Sequence, residues 1–191
     1  MKKDQTGHHF LARLGKTRLR PGGRFATEWL INQTRFAPDT QVLEVACNMG
    51  TTAVGLVQRF GCHITGVDLD ENALNKARQN IRAAGLEHLV QVQHANATEL
   101  PFLDNSFDVV INEAMLTMLP LANKEMAVAE YFRVLKPGGV LLTHDVVVSE
   151  HNTEEAVERL RDTIQVKVTP LTESGWTDLF HRSGFRDITT I

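Results

Sequence analysis

Strand-like and helix-like segments alternate along the chain from residue 42 onward, and this alternation restricts the fold more than any other feature. The apolar runs QVLEVA and CHITGVD have the length and the branched residues of buried strands. Between them, the segment TTAVGLVQRFG places Ala53, Leu56, Val57 and Phe60 on one helical face, and Gly61 follows as a terminator. Strands joined by helices of this length predict a parallel sheet with helices on both faces.

The same pattern continues to the end of the chain. The remaining predicted strands cover 89–93, 107–112 and 140–148, and the remaining predicted helices cover 71–85, 122–135, 152–164 and 172–185. The last segment, RDITTI (186–191), could begin a further strand. The predicted fold class is therefore α/β, with a doubly wound and mostly parallel sheet of the Rossmann-like type. Because no repeat or change in composition marks a boundary, we expect one domain over 1–191, with a core over 39–191 after an N-terminal helical lid over 1–38.

The composition is that of an ordinary globular domain and argues against several classes of function. The formal net charge is -3, whereas proteins that bind polyanions in general are usually basic. Cys47 and Cys62 are the only cysteines, so neither a disulfide framework nor a CxxC metal site is predicted. No apolar run approaches the roughly 20 residues of a membrane span, and the first residues lack the apolar region of a signal peptide. We expect a cytoplasmic protein that binds no metal, nucleic acid or membrane.

Ligands of open parallel sheets bind beyond the carboxyl ends of the strands, where the strand order reverses. This rule marks the loops 46–52, 68–70, 94–99 and 112–118. The first of them reads ACNMGTT, which is neither a P-loop nor the GxGxxG turn that supports the pyrophosphate of a dinucleotide. A nicotinamide cofactor is therefore disfavoured, and a cofactor without phosphates fits the loop better.

The second loop begins with an acid. Asp68 ends the second strand, 18 residues after Gly50, where a carboxylate can accept hydrogen bonds from both hydroxyls of a ribose. The alternative is that Asp68 only caps the following helix, as Asp70 could. Both interpretations stay open on the sequence alone.

Three motifs in fixed order carry a resemblance to a known family. The segments ELPF, NSFDVV and RVLKPGG resemble those of class I S-adenosylmethionine-dependent methyltransferases, in the small-molecule subgroup related to ubiquinone and menaquinone biosynthesis (methyltransferase type 11). The resemblance covers about residues 40–148 and implies S-adenosyl-L-methionine as cofactor and a small molecule as methyl acceptor.

The sequence departs from the family in three places. The usual glycine-rich loop has become EVACNMG, and the usual acid before ELPF is Asn96, whose side-chain carbonyl can still accept a hydrogen bond from the adenine amino group. The family continues into a last hairpin strand beyond the position of Ile191. We therefore expect this edge of the sheet to lack its last strand or to be completed otherwise, for example by a partner chain in a homodimer.

The resemblance implies contacts to the methionine part of the cofactor. Glu44 would receive the amino group, and the backbone of Ala46 would line the methionine and the ribose. Asn48 and Gly50 would shape the turn, and the amide of Thr51 lies at a helix N-terminus suited to a carboxylate.

The resemblance also implies contacts to the nucleoside and to the ammonium group. Asp68 would bind the ribose hydroxyls, with Leu69 against the adenine ring. Asn96 and the amide of Ala97 would contact the adenine edge, and the backbone carbonyl of Asn112 would accept from the methionine ammonium group.

Catalytic residues are harder to predict, because methyl transfer is an in-line displacement for which proximity and orientation can supply most of the acceleration. The candidates for a general base are Glu113, which could equally be a solvated loop acid, and His144, for which a structural role is the favoured interpretation. His144 and Asp145 are neighbours on a strand and should point to opposite faces, so a catalytic pair is not expected. Three apolar side chains are predicted either to line the site beside the transferred methyl group or to pack in the core: Met115, Leu116 and Met118.

Two main hypotheses of function follow. The first is a methyltransferase that moves a methyl group to a small molecule. The second, suggested by the altered first loop, is a non-catalytic protein that binds a cofactor or a partner on the methyltransferase fold. The sequence does not identify the acceptor molecule or the acceptor atom.

Overall fold

The computed structural model describes residues 23–149, 157–158, 161–162 and 168–190. Its strands are β1 (Gln41–Val45), β2 (His63–Asp68), β3 (Val90–His94), β4 (Phe107–Glu113) and β5 (Leu135–His144). Its helices are α1 (Gly23–Ile31), α2 (Thr51–Phe60), α3 (Glu71–Ala83), α4 (Leu121–Val134) and α5 (Glu173–Arg182). A short 3₁₀ turn (Leu116–Met118) lies between β4 and α4.

The five strands form one parallel sheet in the order β3-β2-β1-β4-β5. The chain starts at the centre with β1, moves outward to β3, and then crosses back to β4. The strand order therefore reverses between β1 and β4. At such a reversal the connections leave toward opposite faces, and a crevice opens at the carboxyl edge of the sheet.

Each face of the sheet carries its own apolar core, because neighbouring residues of a strand point to opposite faces. Leu43 and Val110 face one core, together with residues of α4 and α5. Val42 and Ile111 face the other, together with residues of α1, α2 and α3. The predicted α/β class with helices on both faces is confirmed.

Several helix ends match the sequence signals. Gly61 adopts φ +70° after the last residue of α2. Asp70 caps α3 by accepting a hydrogen bond from the backbone N of Asn72 at 2.9 Å. Thr172 caps α5 in the same way through the backbone N of Gly175 at 3.1 Å. These short-range contacts set where the three helices begin or end.

The fifth strand differs from its prediction. It begins at Leu135 rather than after the KPGG turn, and its pairing with β4 jumps from Phe107↔Leu135 to Val109↔Val140. The KPGG segment is thus a bulge within β5, because the strand already pairs with β4 on either side of it. The strand also ends at His144, four residues earlier than predicted.

Other predictions lie at the limits of the described residues. Positions 186–190 contain no strand, and the predicted helix over 152–164 falls largely outside the described ranges. Within those ranges, no helix combines the length and the apolar character needed to cross a lipid bilayer. The single-domain boundaries, the N-terminal lid and the cytoplasmic location stay predictions.

Candidate cofactor site at the carboxyl edge of the sheet

The loop after β1 keeps the backbone of a glycine-rich turn although it contains one glycine. Ala46, Asn48 and Gly50 adopt φ values of 58°, 48° and 69°, so all three are left-handed. This conformation costs a residue with a Cβ about 1–2 kcal/mol, and asparagine tolerates it better than most. Ala46 and Asn48, which stand where the family's loop usually has glycine, therefore keep the backbone conformation of a glycine-rich turn.

This strain gives a stability prediction. Replacing Ala46 by glycine should raise the free energy of unfolding by about 0.5 kcal/mol, because relief of the left-handed strain exceeds the added entropy of the unfolded chain. The same change at Asn48 should give a smaller gain. Urea unfolding of both variants measures the difference, and an Ala46→Gly variant less stable than Asn48→Gly would contradict it.

Helix α3 supports this loop from behind. The Asn80 side chain donates a hydrogen bond from Nδ2 to the carbonyl of Met49 at 2.9 Å. A Cβ at Gly50 would lie 3.3 Å from the Cβ of Ala77, so the helix and the loop are in close contact. The helical pattern of the sequence gives no signal for either contact, because both are tertiary.

Asp68 joins three of the predicted loops. Its Oδ2 accepts from the backbone N of Asn48 at 2.8 Å, and its Oδ1 accepts from the backbone N of Asp70 at 2.9 Å. Its carbonyl accepts from the backbone N of Ala95 at 3.2 Å. Since Asp70 itself caps α3, Asp68 has a different local role. Each carboxylate oxygen keeps a further lone pair, so both could accept from the hydroxyls of a ribose.

The adjoining loops present an apolar surface and a polar edge. Leu69, next to Asp68, is 61% exposed, which is unusual for a leucine beside a buried strand and suits a stacked ring. Asn96 is exposed, and its Oδ1 accepts from the backbone N of Thr98 at 3.1 Å, which leaves one lone pair for another donor. Ala97 is buried beneath it.

Two carboxylates lie on the other side of the crevice. Glu44 of β1 is only 6% exposed, and Glu113 of β4 points to the same face of the sheet. The Thr27 hydroxyl of α1 donates to Glu113 Oε2 at 2.8 Å, and the Thr52 hydroxyl of α2 lies 3.5 Å from Oε1. This concentration of negative charge suits a ligand ammonium group. Thr51 begins α2 directly after Gly50, which offers the first-turn amides no side-chain acceptor.

Asn112 connects the two central strands at the reversal point. Its side chain is fully buried, and Nδ2 donates to the carbonyl of Val45 at 3.4 Å. Its Oδ1 has no hydrogen-bond partner within the described part of the chain. Buried polar atoms in proteins nearly always have a partner, so this oxygen marks a position where water or a ligand atom would be stabilised.

The candidate general bases occupy separate positions. His144 is half-buried, and its carbonyl accepts from the backbone N of Ala114 at 2.6 Å. The Asp145 carboxylate bonds to Thr117 and Thr143 rather than to the His144 ring, so the two residues form no pair in this structure.

The apolar residues after β4 differ in how they pack. Leu116 is fully buried in the core beside α4, and the half-buried Met115 packs against the same core, so the core interpretation applies to both. Met118 is half-buried. Ala114, directly before them, has φ +57° and was not singled out by the sequence pattern. A strained non-glycine residue at this point is typical of functional loops.

Comparison with known proteins agrees with this arrangement. A family model described as a methyltransferase domain matches residues 42–139, which cover all four candidate loops. The chain belongs to the class I S-adenosylmethionine-dependent methyltransferases. The cofactor of this family is S-adenosyl-L-methionine, and its members are enzymes.

Individual relatives support the methyltransferase assignment. An uncharacterised protein of Haemophilus influenzae is 63% identical over 190 residues, which are 100% of this chain and 76% of that protein. Demethylmenaquinone methyltransferase of Listeria welshimeri is 39% identical over 113 residues, which are 58% of this chain and 47% of that enzyme. The chain thus spans less than half of the length of this methyltransferase.

A solved structure shows the same fold. The phosphoethanolamine N-methyltransferase 2 of Haemonchus contortus, in complex with phosphomonomethylethanolamine and S-adenosylhomocysteine, gives a TM-score of 0.81 at 21% identity. The similarity covers 97% of this methyltransferase chain and 44% of the other. At this identity it supports the fold alone.

Proposed function

We propose that this protein transfers the methyl group of S-adenosyl-L-methionine to a small-molecule acceptor, mainly by proximity and orientation. The observation that carries the proposal is the meeting of three loops at Asp68, in front of a first loop whose backbone stays left-handed at the former glycine positions. This arrangement provides an open crevice with acceptors for a ribose on one side and acidic residues on the other.

The nucleoside would lie on the β2 and β3 side of the crevice. Asp68 would accept from the ribose hydroxyls, and the exposed Leu69 would stack on the adenine ring. The remaining lone pair of Asn96 Oδ1 would accept from the adenine amino group, beside the backbone of Ala97. These roles use only atoms that the structure leaves exposed or with spare hydrogen-bonding capacity.

The methionine end would lie between β1 and β4. Glu44 would attract the ammonium group, together with the backbone carbonyl of Asn112. Ala46 and Asn48 would line the turn, and the amide of Thr51, after Gly50, would donate to the carboxylate. The acidic charge of Glu44 and Glu113 on one face of the sheet supports this orientation over the reverse one.

When bound, the cofactor supplies an electrophilic methyl group on a sulfonium centre. The chain would then orient the acceptor in line with that group, and a base would be needed only for an acceptor that carries a proton. Glu113 is held by hydrogen bonds from Thr27 and Thr52, which join α1 and α2 to β4. Its first role would therefore be to position these elements around the crevice. His144 stays the second candidate base.

The acceptor side of the crevice follows β4, where Met115 and Met118 are half-buried. The named relative acts on demethylmenaquinone, and the structural neighbour was solved with phosphomonomethylethanolamine. These acceptors differ in chemistry, so we propose a small molecule without choosing its class or atom. The net charge of -3 favours such an acceptor over a nucleic acid.

The outer side of β5 has no partner strand in the described residues, and a homodimer through this edge is a further proposal.

The second candidate is a non-catalytic binding protein, and the observation that favours it is the loss of two glycines at Ala46 and Asn48. One pair of measurements separates the two functions. Isothermal titration with S-adenosylhomocysteine should show micromolar or tighter binding. A metabolite extract incubated with the protein and isotopically methyl-labelled cofactor should then yield a labelled product by mass spectrometry. Weak or absent binding, or binding without labelled product, would favour the non-catalytic function, and a labelled product would contradict it.

A further inference from the structure

A buried lysine lies beside the turn that follows β4. Lys124, in the first turn of α4, has no solvent exposure. Its Nζ donates to the carbonyl of Leu119 and to the Thr169 hydroxyl, the latter at 2.6 Å, and lies 5.8 Å from the centre of the Trp176 ring. Burial lowers the pKa of Lys124 to about 8, and the negative charge of Asp145 opposes this shift.

The half-buried carboxylate of Asp145 faces the same region. Its Oδ1 accepts from the backbone N of Thr117 at 2.8 Å, and its Oδ2 accepts from the Thr143 hydroxyl at 3.3 Å. Burial raises the pKa of Asp145 to about 6, although these hydrogen bonds and the charge of Lys124 lower it. The charged and titratable groups that face it among the described residues are Lys124 and Tyr131 of α4, and His144 precedes it on β5.

All of these contacts converge on residues 116–119, which we name the post-β4 turn. The Thr117 carbonyl accepts from the backbone N of Thr169 at 2.8 Å, and the Thr117 hydroxyl accepts from the backbone N of Val146 at 3.1 Å. Asp145 bonds to the Thr117 amide, and Lys124 bonds to the Leu119 carbonyl. Every polar group of Thr117 is therefore bonded to another part of the chain. The turn is therefore fixed by α4, by the end of β5 and by the segment 168–171.

The charged forms of Asp145 and Lys124 hold the post-β4 turn but lower the stability of the folded state. The pKa of Asp145 rises from 3.8 to about 6 on folding, so the folded state binds the extra proton and its stability falls as pH increases through that window. The pKa of Lys124 falls from 10.5 to about 8, so stability increases with pH through the higher window. In both cases the charged form is the one that burial disfavours. Packing alone would be served better by apolar residues of similar volume.

We propose that Asp145 and Lys124 are positioning residues that fix the post-β4 turn as the acceptor-side wall of the crevice. The proposal rests on the proposed methyl transfer, because the turn begins at Leu116, shortly after β4 ends at Glu113, and carries the half-buried Met118. Neither side chain touches the reacting atoms. They act through the backbone of Thr117 and Leu119.

The first test needs no acceptor. In the full chain without cofactor, the Thr117 amide proton should shift with an ionisation near pH 6, because it donates to the Asp145 carboxylate. Asp145→Asn should abolish this titration and accelerate Thr117 amide exchange about tenfold, since a neutral acceptor is weaker than a charged one. The matched control is Asp178→Asn, at an exposed aspartate of α5, which should change neither signal. A Thr117 amide that titrates unchanged in Asp145→Asn would overturn the proposal.

The second test uses labelled methyl transfer into a metabolite extract. Asp145→Asn and Lys124→Met should each slow label transfer about tenfold, because a looser turn orients the acceptor less well. A tenfold slower rate corresponds to an activation free energy that is about 1.4 kcal/mol higher. Affinity for S-adenosylhomocysteine should stay within about twofold of the parent, since residues 116–119 include none of the residues that we assign to the cofactor. Equal losses of affinity and transfer, or loosening of Thr117 without slower transfer, would overturn the positioning role. A parent that transfers no label would contradict the proposed function, and the Thr117 measurement would still decide whether Asp145 fixes the turn.

Discussion

Replacing Asp68 by alanine is expected to weaken binding of S-adenosylhomocysteine at least about 100-fold, measured by isothermal titration. The change removes both acceptors that we assign to the ribose hydroxyls, and charged hydrogen bonds contribute about 1.5–3 kcal/mol each. It also removes the bonds to the backbone N of Asn48 and of Asp70, which shape the first two loops. Asp68→Asn should give an intermediate loss, because one acceptor oxygen remains without the charge.

The matched control is Asp70→Ala, two residues along the same loop. Asp70 caps α3 through the backbone N of Asn72, so its loss should cost about 1 kcal/mol of stability and leave the affinity nearly unchanged. Thermal melting of the unliganded variants separates the two effects. Unchanged affinity in Asp68→Ala would refute the ribose assignment, and equal losses in both variants would show that the loop rather than the carboxylate matters.

Replacing Arg133 by alanine is expected to lower the free energy of unfolding by about 3 kcal/mol. Its guanidinium donates to the carbonyls of Leu100 and Phe102 at 3.0 and 2.8 Å. It also pairs with Asp104 at 2.8 Å and with Glu130 at 2.7 Å, and Glu130 in turn accepts from the backbone N of Leu100 at 2.7 Å. The variant would leave the two carbonyls and the Glu130 carboxylate, whose bonds to Arg133 are partly buried, without their donor. Urea unfolding at neutral pH measures the loss.

The pH dependence of this variant provides a second readout. The hydrogen bond from Arg133 lowers the pKa of Glu130 below its ordinary value. This stabilisation is present above the pKa of the unfolded chain and is lost as pH falls through the folded pKa. Arg133→Ala should therefore lose less stability than the parent on acidification.

Arg82→Ala is the matched control for Arg133. Arg82 pairs with Glu87 at 3.2 Å, but its side chain is 80% exposed, so its loss should cost at most about 0.5 kcal/mol. A loss at Arg133 no larger than at Arg82 would contradict the bridging role. The result bears on the motifs too, because Arg133 of RVLKPGG bonds directly to ELPF and explains in physical terms why the two segments occur together.

The sheet and most helices could be predicted because their signals are local. The apolar run of β1, the glycine after α2 and the cap at Asp70 each act within a few residues, and the structure matches them. The bulge within β5 could not be predicted, because it depends on pairing with β4. The sequence showed KPGG only as a turn, whereas Leu135 already pairs with Phe107.

The candidate site was predictable where residues end strands. Asp68 and Glu113 follow from that rule, and the structure brings them to one edge of the sheet. Thr27 and Asn80 were missed because their contacts join positions 86 and 31 residues apart. Nothing in a helical pattern distinguishes an asparagine that supports a loop from one that faces solvent. Lys124 was missed for a related reason, since a lysine in a surface-like helix is expected in water.

The hydrogen bonds that fix the post-β4 turn are separate from those that shape the cofactor loops, which matters for evolution and engineering. The bonds of the turn come from α4, the end of β5 and 168–171, whereas Asp68, Asn80 and the left-handed first loop belong to a separate set of contacts. Under the proposed acceptor role of the turn, mutations that reshape it would alter which compound is methylated and leave the contacts that we assign to the nucleoside in place. A library of variants confined to the post-β4 turn and to the residues bonded to it would change the proposed acceptor site and leave the proposed cofactor site unchanged.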